Sequence, residues 1–457
     1  MSGFYIEDYL PLFMFAALGI LLFSGYPVAF VLGGVGLAFG FIGIYFDVFN
    51  FIQFFNLLPR IWGGIAESLV LTAIPMFIFM GTMLERSGVA SDLLHCLQVL
   101  LRRVPGGLAL SVTIMGTVMA ATTGIIGASV VMMTLLALPV MVEQRYNKAL
   151  ATGTIAASGT LGILIPPSIM LVIMAELLAR SVGNLFVAAI IPGFMLAGFY
   201  MIYILILCGF RPQLAPPLAA EEGPETMLGV LVMVVRSFIP PLFLVFLVLG
   251  SILFGWATPT EAAGVGGAGA IFLAILKRRL TFGVLKDVLE RSALTGGMLF
   301  GIFLGATCFS YVFRALGGDF LVTDLIEHLG LGPWGLLLML MALVFFLGFF
   351  FDWIEITLIV LPVFAPIVAE LDFGDHVIQG EVVYWFAILL AVNLQTSFLT
   401  PPFGFALFYM KGVAPPEVRI QHIYKGIIPF VLLQLAGLGL VMAFPDLALW
   451  LPRVLLQ

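Results

Sequence analysis

Charge is scarce in this 457-residue chain. Asp, Glu, Lys and Arg together make up 10% of it, and the net charge of −6 is spread thinly. That excludes the basic footprint of a nucleic-acid binder. Cysteine is scarcer still: Cys96, Cys208 and Cys308 lie far apart in apolar settings. No disulfide framework or cysteine metal cluster follows, and packing is their expected role. His95, His328, His376 and His422 are scattered in polar segments and form no metal pair. The first eight residues lack a basic stretch, so no cleaved signal peptide is expected. A P-loop is absent, which excludes ATP as the direct energy source. So are HExxH and any GxSxG with partners, which argues against an intramembrane enzyme.

What the chain has is apolar surface. Hydrophobic residues are 62% of it and mean hydropathy is +1.19, too much for any solvent but lipid. Phe 43, Gly 50 and Met 21 suit helix packing in a bilayer. The apolar runs are long and continuous rather than short and alternating, so the fold class is an all-α polytopic membrane protein rather than a barrel. Ten full spans are expected near 10–24, 27–46, 67–86, 147–180, 183–209, 237–254, 261–276, 294–314, 383–410 and 427–445. Two more apolar stretches, 107–142 and 335–371, are broken in the middle. Each is either a pair of spans or one re-entrant helical hairpin.

The sequence also repeats itself. Arg86 precedes Pro105 by 19 residues, and Arg314 precedes Pro333 by 19. Thr134-Leu-Leu-Ala-Leu-Pro139 answers Thr357-Leu-Ile-Val-Leu-Pro362, Ile165-Pro-Pro167 answers Thr400-Pro-Pro402, and Ile190-Ile-Pro192 answers Ile427-Ile-Pro429. Such a duplication in so apolar a chain points to a secondary transporter built from two pseudo-symmetric halves. With both broken stretches re-entrant and the N-terminus outside, 15 of the 19 Lys and Arg fall in cytoplasmic segments, as the positive-inside rule requires. Only Arg60, Arg180, Arg314 and Arg453 do not. Two spanning pairs would leave the same loops inside, so re-entry is argued from the small, polar or Gly-rich tips, which are too short to reach water comfortably. Each half then holds three spans, a hairpin and two spans, and the second half is inverted. The first repeat covers 1–210, with scaffold 10–62, arm 87–104 and hairpin plus broken helix 107–180. After a linker at 211–228, the second covers 229–457, with scaffold 237–276, arm 317–332 and hairpin plus broken helix 335–410. The arms are either plain surface helices or levers between a moving part and a fixed one.

The span after each hairpin is interrupted, at Ala157 to Ser168 and at Asn393 to Gly404. Paired prolines after Gly, Ser or Thr remove donors and free carbonyls. Facing a hairpin tip, such a break offers the hard oxygen ligands Na⁺ needs and half-helix N-termini for an anion. Two cation sites are expected. The first uses Thr123, Gly127 and Ser129 with Ser158, Gly159 and Gly162. The second uses Gly348 and Asp352 with Gln395, Thr396 and Ser397. The bland alternative is a Gly/Pro kink that only aids packing. Asp352, at membrane depth, is a suspect by default, or else a group solvated at an outer mouth. Glu355 is either functional or a capping or interface charge. Arg314 is either a bidentate carboxylate clamp or, like Arg86, an anchor of a helix end. Glu67 and Glu261 start spans and read as structural, the latter with Thr258 or Thr260 as cap and Pro259 in the first turn.

Ile74-Pro-Met-Phe-Ile-Phe-Met-Gly81, Trp256-Ala-Thr-Pro-Thr-Glu-Ala-Ala263, the Gly-rich first tip and the two Pro-Pro breaks resemble the large membrane subunit of TRAP (tripartite ATP-independent periplasmic) transporters. The resemblance runs over nearly the whole chain. It implies an elevator-type importer driven by Na⁺ at two or more sites, with no organic cofactor. It implies a periplasmic substrate-binding protein that delivers a carboxylate and a small four-helix membrane subunit that braces the scaffold. Ser129, Arg314 and Asp352, with Pro166 and Pro401, would lie at or near the substrate and ion sites. The partner subunit is expected as a separate chain, and the location as the bacterial inner membrane with a periplasmic N-terminus. The rival readings are a stand-alone anion transporter and a Na⁺/H⁺ exchanger. The exchanger should carry titratable carboxylates in both tips, whereas only the second has them.

Overall fold

A computed structural model describes residues 6–123, 126–217, 224, 226–401 and 404–456, with the side chains of 121–123, 128 and 327 outside the described set. Every described regular element is a helix or helical turn. The first half runs α1 Leu10–Leu22, α2 Val28–Tyr45, α3 Leu57–Ile61, α4 Ala73–Arg86, α5 Val89–Leu101, α6 Gly107–Thr123, α7 Ile126–Glu143, α8 Lys148–Thr160, α9 Ile169–Leu177 and α10 Val182–Phe210. The second runs α11 Met227–Leu253, α12 Pro259–Leu276, α13 Phe282–Ala315, α14 Gly318–Leu329, α15 Pro333–Leu347, α16 Trp353–Ala369, α17 Val382–Leu399, α18 Phe405–Val413, α19 Ile420–Ala443 and α20 Asp446–Leu455.

The packing partners of the halves are exchanged as a twofold demands. α2 packs on α13 as α12 packs on α4, and α10 on α17 as α19 on α8. The arms follow suit: α5 meets α11 and α14 meets α1. A pseudo-twofold in sequence has become one in space.

Each hairpin enters and leaves at one end. At the base of the first, Gly106 N donates to Ala215 O (3.0 Å), Asn147 N to Leu214 O (2.7 Å), and Leu108 N to Tyr146 Oη (3.2 Å). One short piece of the 211–228 linker is therefore pinned beneath both legs, so that stretch is more than a spacer. At the base of the second, Trp334 stacks edge-on with Phe373, His376 and Trp385. The inner legs then lie along broken spans. α9 and α18, nine residues each and so about 13 Å long, are the half-helices beyond the breaks.

Several boundaries differ from the sequence reading. The span placed at 67–86 is helical only from Ala73, with Pro75 in its first turn, where its missing N–H costs nothing. Before it, Trp62–Ala66 forms a π-helical turn, and Glu67 accepts from Trp62 Nε1 (2.7 Å) instead of starting a helix. The span placed at 237–254 starts at Met227, where Thr226 caps Gly229 N at 3.1 Å, and it carries Pro240 and Pro241 without a break. α13 has 34 residues, about 51 Å, against about 30 Å of hydrocarbon. Its charged first turns therefore project from the membrane. There Asp287 pairs with Arg86 (2.6 Å) and Arg291 (3.0 Å). Among the described residues, seven helices are long and apolar enough to cross as unbroken rods. The stretches read as the first, third and fourth spans are not among them: α1 has 13 residues, α4 has 14, and α8 and α9 share one span.

Candidate functional site

Both breaks come later than their sequences suggest. α8 stays helical through Ser158, Gly159 and Thr160, passes through a 3₁₀ turn at Leu161–Ile163 that includes Gly162, and opens only over 164–168, where the Pro166–Pro167 peptide is cis. α17 stays helical through Gln395, Thr396 and Ser397 to Leu399, and α18 resumes at Phe405. Pro401 sits in the turn between them, and Pro402 lies outside the described residues. Within the last turn of α17, Thr and Ser hydroxyls bond back to the preceding turn. Thr396 Oγ1 donates to Asn393 O (2.6 Å) and Ser397 Oγ to Leu394 O. The proton is used, while the oxygen lone pairs stay available.

The tips press on these helical turns. A Cβ on Gly159 would lie 2.4 Å from Val130 Cγ2, and one on Gly348 would lie 2.1 Å from Ser397 Cβ. Only glycine permits either approach. In the first pair Ser158 Oγ reaches Thr113 Oγ1 of α6 at 3.3 Å, and Ser129 is buried at the start of α7. The side chain of Thr123 lies outside the described residues. Gly127 faces the Tyr409 ring of α18 (a Cβ there would be 3.1 Å from Cε2), and Tyr409 in turn lies within electrostatic reach of Asp352. Gly127 of the first tip thus meets α18 of the opposite repeat at Tyr409, while Arg314 stands apart. Its guanidinium donates to Pro362 O, ten residues and about 15 Å along α16 from Asp352.

Asp352 is the N-cap of α16. Its Oδ1 accepts from Trp353 N (2.7 Å), and Glu355 Oε2 accepts from Asp352 N (3.1 Å). This capping box gives Glu355 the helix-capping role that was one of its two readings. Glu261 does the same with Thr258, not Thr260, at the head of α12. Neither Asp352 nor Glu355 has a basic partner within ion-pair distance among the described residues. Close by on α17, Gln395 is fully buried with neither amide atom hydrogen-bonded. The Oδ1 of Asn393 and the Oγ1 of Thr357 are likewise unpartnered. Leaving such atoms bare costs about 1–3 kcal/mol each, and the oxygens among them are of the kind that ligates a hard cation. Among the described residues no three His, Cys, Asp or Glu converge, so the donors on offer are hydroxyl, amide, carboxylate and main-chain oxygens, the set of a hard ion. Sequence reasoning passed over Asn393, Thr357 and Tyr409. The signal for Asn393 was present: an amide in the apolar run Ala387 to Leu394.

An inverted repeat of helices with two re-entrant hairpins and two opposed broken spans defines a membrane transporter fold, not an enzyme. The same architecture covers 98% of this chain and 99% of the chain in the crystal structure of the YdaH transporter of Alcanivorax borkumensis, at a TM-score of 0.60 and 17% identity. The sequence pattern of the DctM component of tripartite ATP-independent periplasmic transporters matches residues 15–447. The C4-dicarboxylate TRAP transporter large permease protein DctM of Rhodobacter capsulatus is 30% identical over 97% of this chain and 99% of its own length. Its counterpart in Pseudomonas aeruginosa is 30% identical over 85% and 87%, and the sialic acid TRAP transporter large permease protein SiaM of Vibrio cholerae is 27% identical over 95% and 97%. The chain belongs to the TRAP large permease (DctM) family and is a multi-pass integral membrane transport protein.

Proposed function

We propose that this chain is the translocation subunit of a Na⁺-coupled importer of organic acids in a bacterial inner membrane, with its N-terminus on the periplasmic side. A periplasmic binding protein hands over the carboxylate, and a small four-helix subunit braces α1, α2, α11 and α12. Helices α6–α9 and α15–α18 move together as an elevator, with α5 and α14 as levers. The carrying observation is that a capping carboxylate, Asp352, and an unpartnered buried amide, Gln395, lie on the two elements that meet where Gly348 presses on Ser397. A Na⁺ ion bound there would take the carboxylate and the Gln395 carbonyl oxygen as ligands and lock the tip against α17. The related pocket at Ser129 and Ser158 would take a second ion through hydroxyl and main-chain oxygens. The N-termini of α9 and α18 would face the substrate anion with their positive ends. C4-dicarboxylates and sialic acid, named for the relatives, bracket the substrate class.

The test is reconstitution with a candidate four-helix partner and binding protein under an imposed Na⁺ gradient. Uptake is expected only with all three components and collapses when the gradient is removed. Uptake by this chain alone would refute the tripartite reading, and uptake indifferent to Na⁺ the coupling.

A further inference from the structure

Arginine on the outer side of a membrane protein runs against the charge rule and calls for a reason. Four are placed there by the orientation above: Arg60, Arg180, Arg314 and Arg453. Arg453 is explained locally, because its guanidinium is paired with Glu381 and with Asp446 Oδ1 at 2.8 Å. The other three converge on two adjoining cavities of about 390 and 310 Å³ that share Leu177, Ser310 and Pro362. Arg180 and Arg314 line the first and Arg60 the second. Neither Arg60 nor Arg180 forms an ion pair among the described residues. Each lies instead over a tyrosine ring, Arg60 at 4.7 Å from the centroid of Tyr311 and Arg180 at 5.7 Å from that of Tyr384. Stacking orients a guanidinium while leaving its N–H donors unused. Arg314 spends one donor on Pro362 O and lies 3.7 Å from Asp319. Glu176 is the single carboxylate lining either cavity. Two ring-oriented cationic forks, a third shared with Asp319, the opposing charge of Glu176 and the Ser310 hydroxyl in the shared wall make a receptor for a planar anion.

We propose that this double cavity is an outer vestibule that binds a small organic carboxylate before it reaches the hairpin tips; the ligand class rests on the importer reading above. The walls come from both parts of the molecule. α9 and α16 belong to the hairpin and broken-helix set, and α13 with the 60–65 stretch belongs to the rest. A carboxylate held between them would sit where the two parts must separate or slide.

The purified full-length chain in nanodiscs is treated with phenylglyoxal, and modification of each arginine is followed by peptide mass spectrometry. Succinate, pyruvate, benzoate and N-acetylneuraminate are added at millimolar concentration against chloride at equal ionic strength. At least one acid is expected to slow modification of Arg60, Arg180 and Arg314 together by roughly fivefold or more, with Arg86 and Arg291 unchanged. R180K keeps the charge and loses the fork, and should weaken protection of the other two. Protection by none of the acids, equal protection by chloride, or protection that appears only when acid-free delivery protein is added would each overturn the proposal. Protection without Na⁺-driven uptake would keep the vestibule and sink the importer reading; uptake with the three arginines unprotected would do the reverse.

Discussion

The two places where a hairpin meets its broken helix share a backbone plan and differ in chemistry. The first offers hydroxyls, Ser129 and Ser158. The second offers a carboxylate and two amides, Asp352, Asn393 and Gln395. Glycine sits at the close approach in both, on the broken helix in the first (Gly159) and on the tip in the second (Gly348). The shape is therefore duplicated while formal charge is confined to one copy. A neutral oxygen cage binds a hard cation through dipoles alone, whereas one containing Asp352 adds a charge, so the second pocket should bind more tightly.

The sharpest way to break that comparison is D352N. Asn keeps the helix cap and removes the charge. Losing a charged contact worth about 1.5–3 kcal/mol should lower Na⁺ affinity roughly 10- to 100-fold, read from the Na⁺ dependence of uptake. S129A, made in parallel, should cost less; equal losses would show that the charge asymmetry is irrelevant. Next is Q395L, whose two readouts should move in opposite directions. Removing a buried amide with no partners should stabilise the purified protein by about 1–3 kcal/mol, while Na⁺-dependent uptake falls; a destabilised variant would mean the amide has a partner. G348A and G159A then test the shared shape. Each forces a methyl into a packed contact and should cost about 1–3 kcal/mol as a lower Tm. The G348A loss should be the larger, since its Cβ would meet Ser397 at 2.1 Å rather than Val130 at 2.4 Å.

The smallest effect lies outside the membrane and serves as a control. The hydrogen bond from Arg291, with the charge of Arg86, holds Asp287 below its ordinary 3.8. A depressed carboxylate stabilises the fold above its unfolded pKa, and that contribution is lost as pH falls through the folded value. D287N should lower Tm slightly at pH 7 and by less near pH 3, with both pocket affinities untouched. An equal drop at both pH values would show that the carboxylate acts by packing.

Much of this architecture was legible because lipid leaves so few choices. Paired landmarks at Arg86 and Arg314, Pro105 and Pro333, and Pro139 and Pro362 fall at matching helix ends and interiors. The arms 87–104 and 317–332 enclose α5 and α14. The extent of the breaks was not legible. Pro240–Pro241 leaves α11 intact while Pro166–Pro167 opens its span, because the outcome depends on which neighbours receive the freed carbonyls. The cap at Asp352 was half legible. The break in 335–371 and Glu355 as a capping charge were read from the sequence, whereas Asp352 as the N-cap was not. Arg60 and Arg180 were visible as exceptions to the charge rule, but only the folded chain brings them to one cavity with Arg314.

The inner leg of each hairpin rests on the far half-helix of the opposite repeat, α7 on α18 and α16 on α9. During synthesis α9 therefore leaves the ribosome about 180 residues before the strut that will shelter it. Until then the unwound 164–168 stretch has its main-chain groups exposed in a half-made protein. The nascent first repeat must wait in the membrane as an incomplete clasp, shielded by lipid headgroups, water or an insertion chaperone, and it closes only when the second repeat arrives.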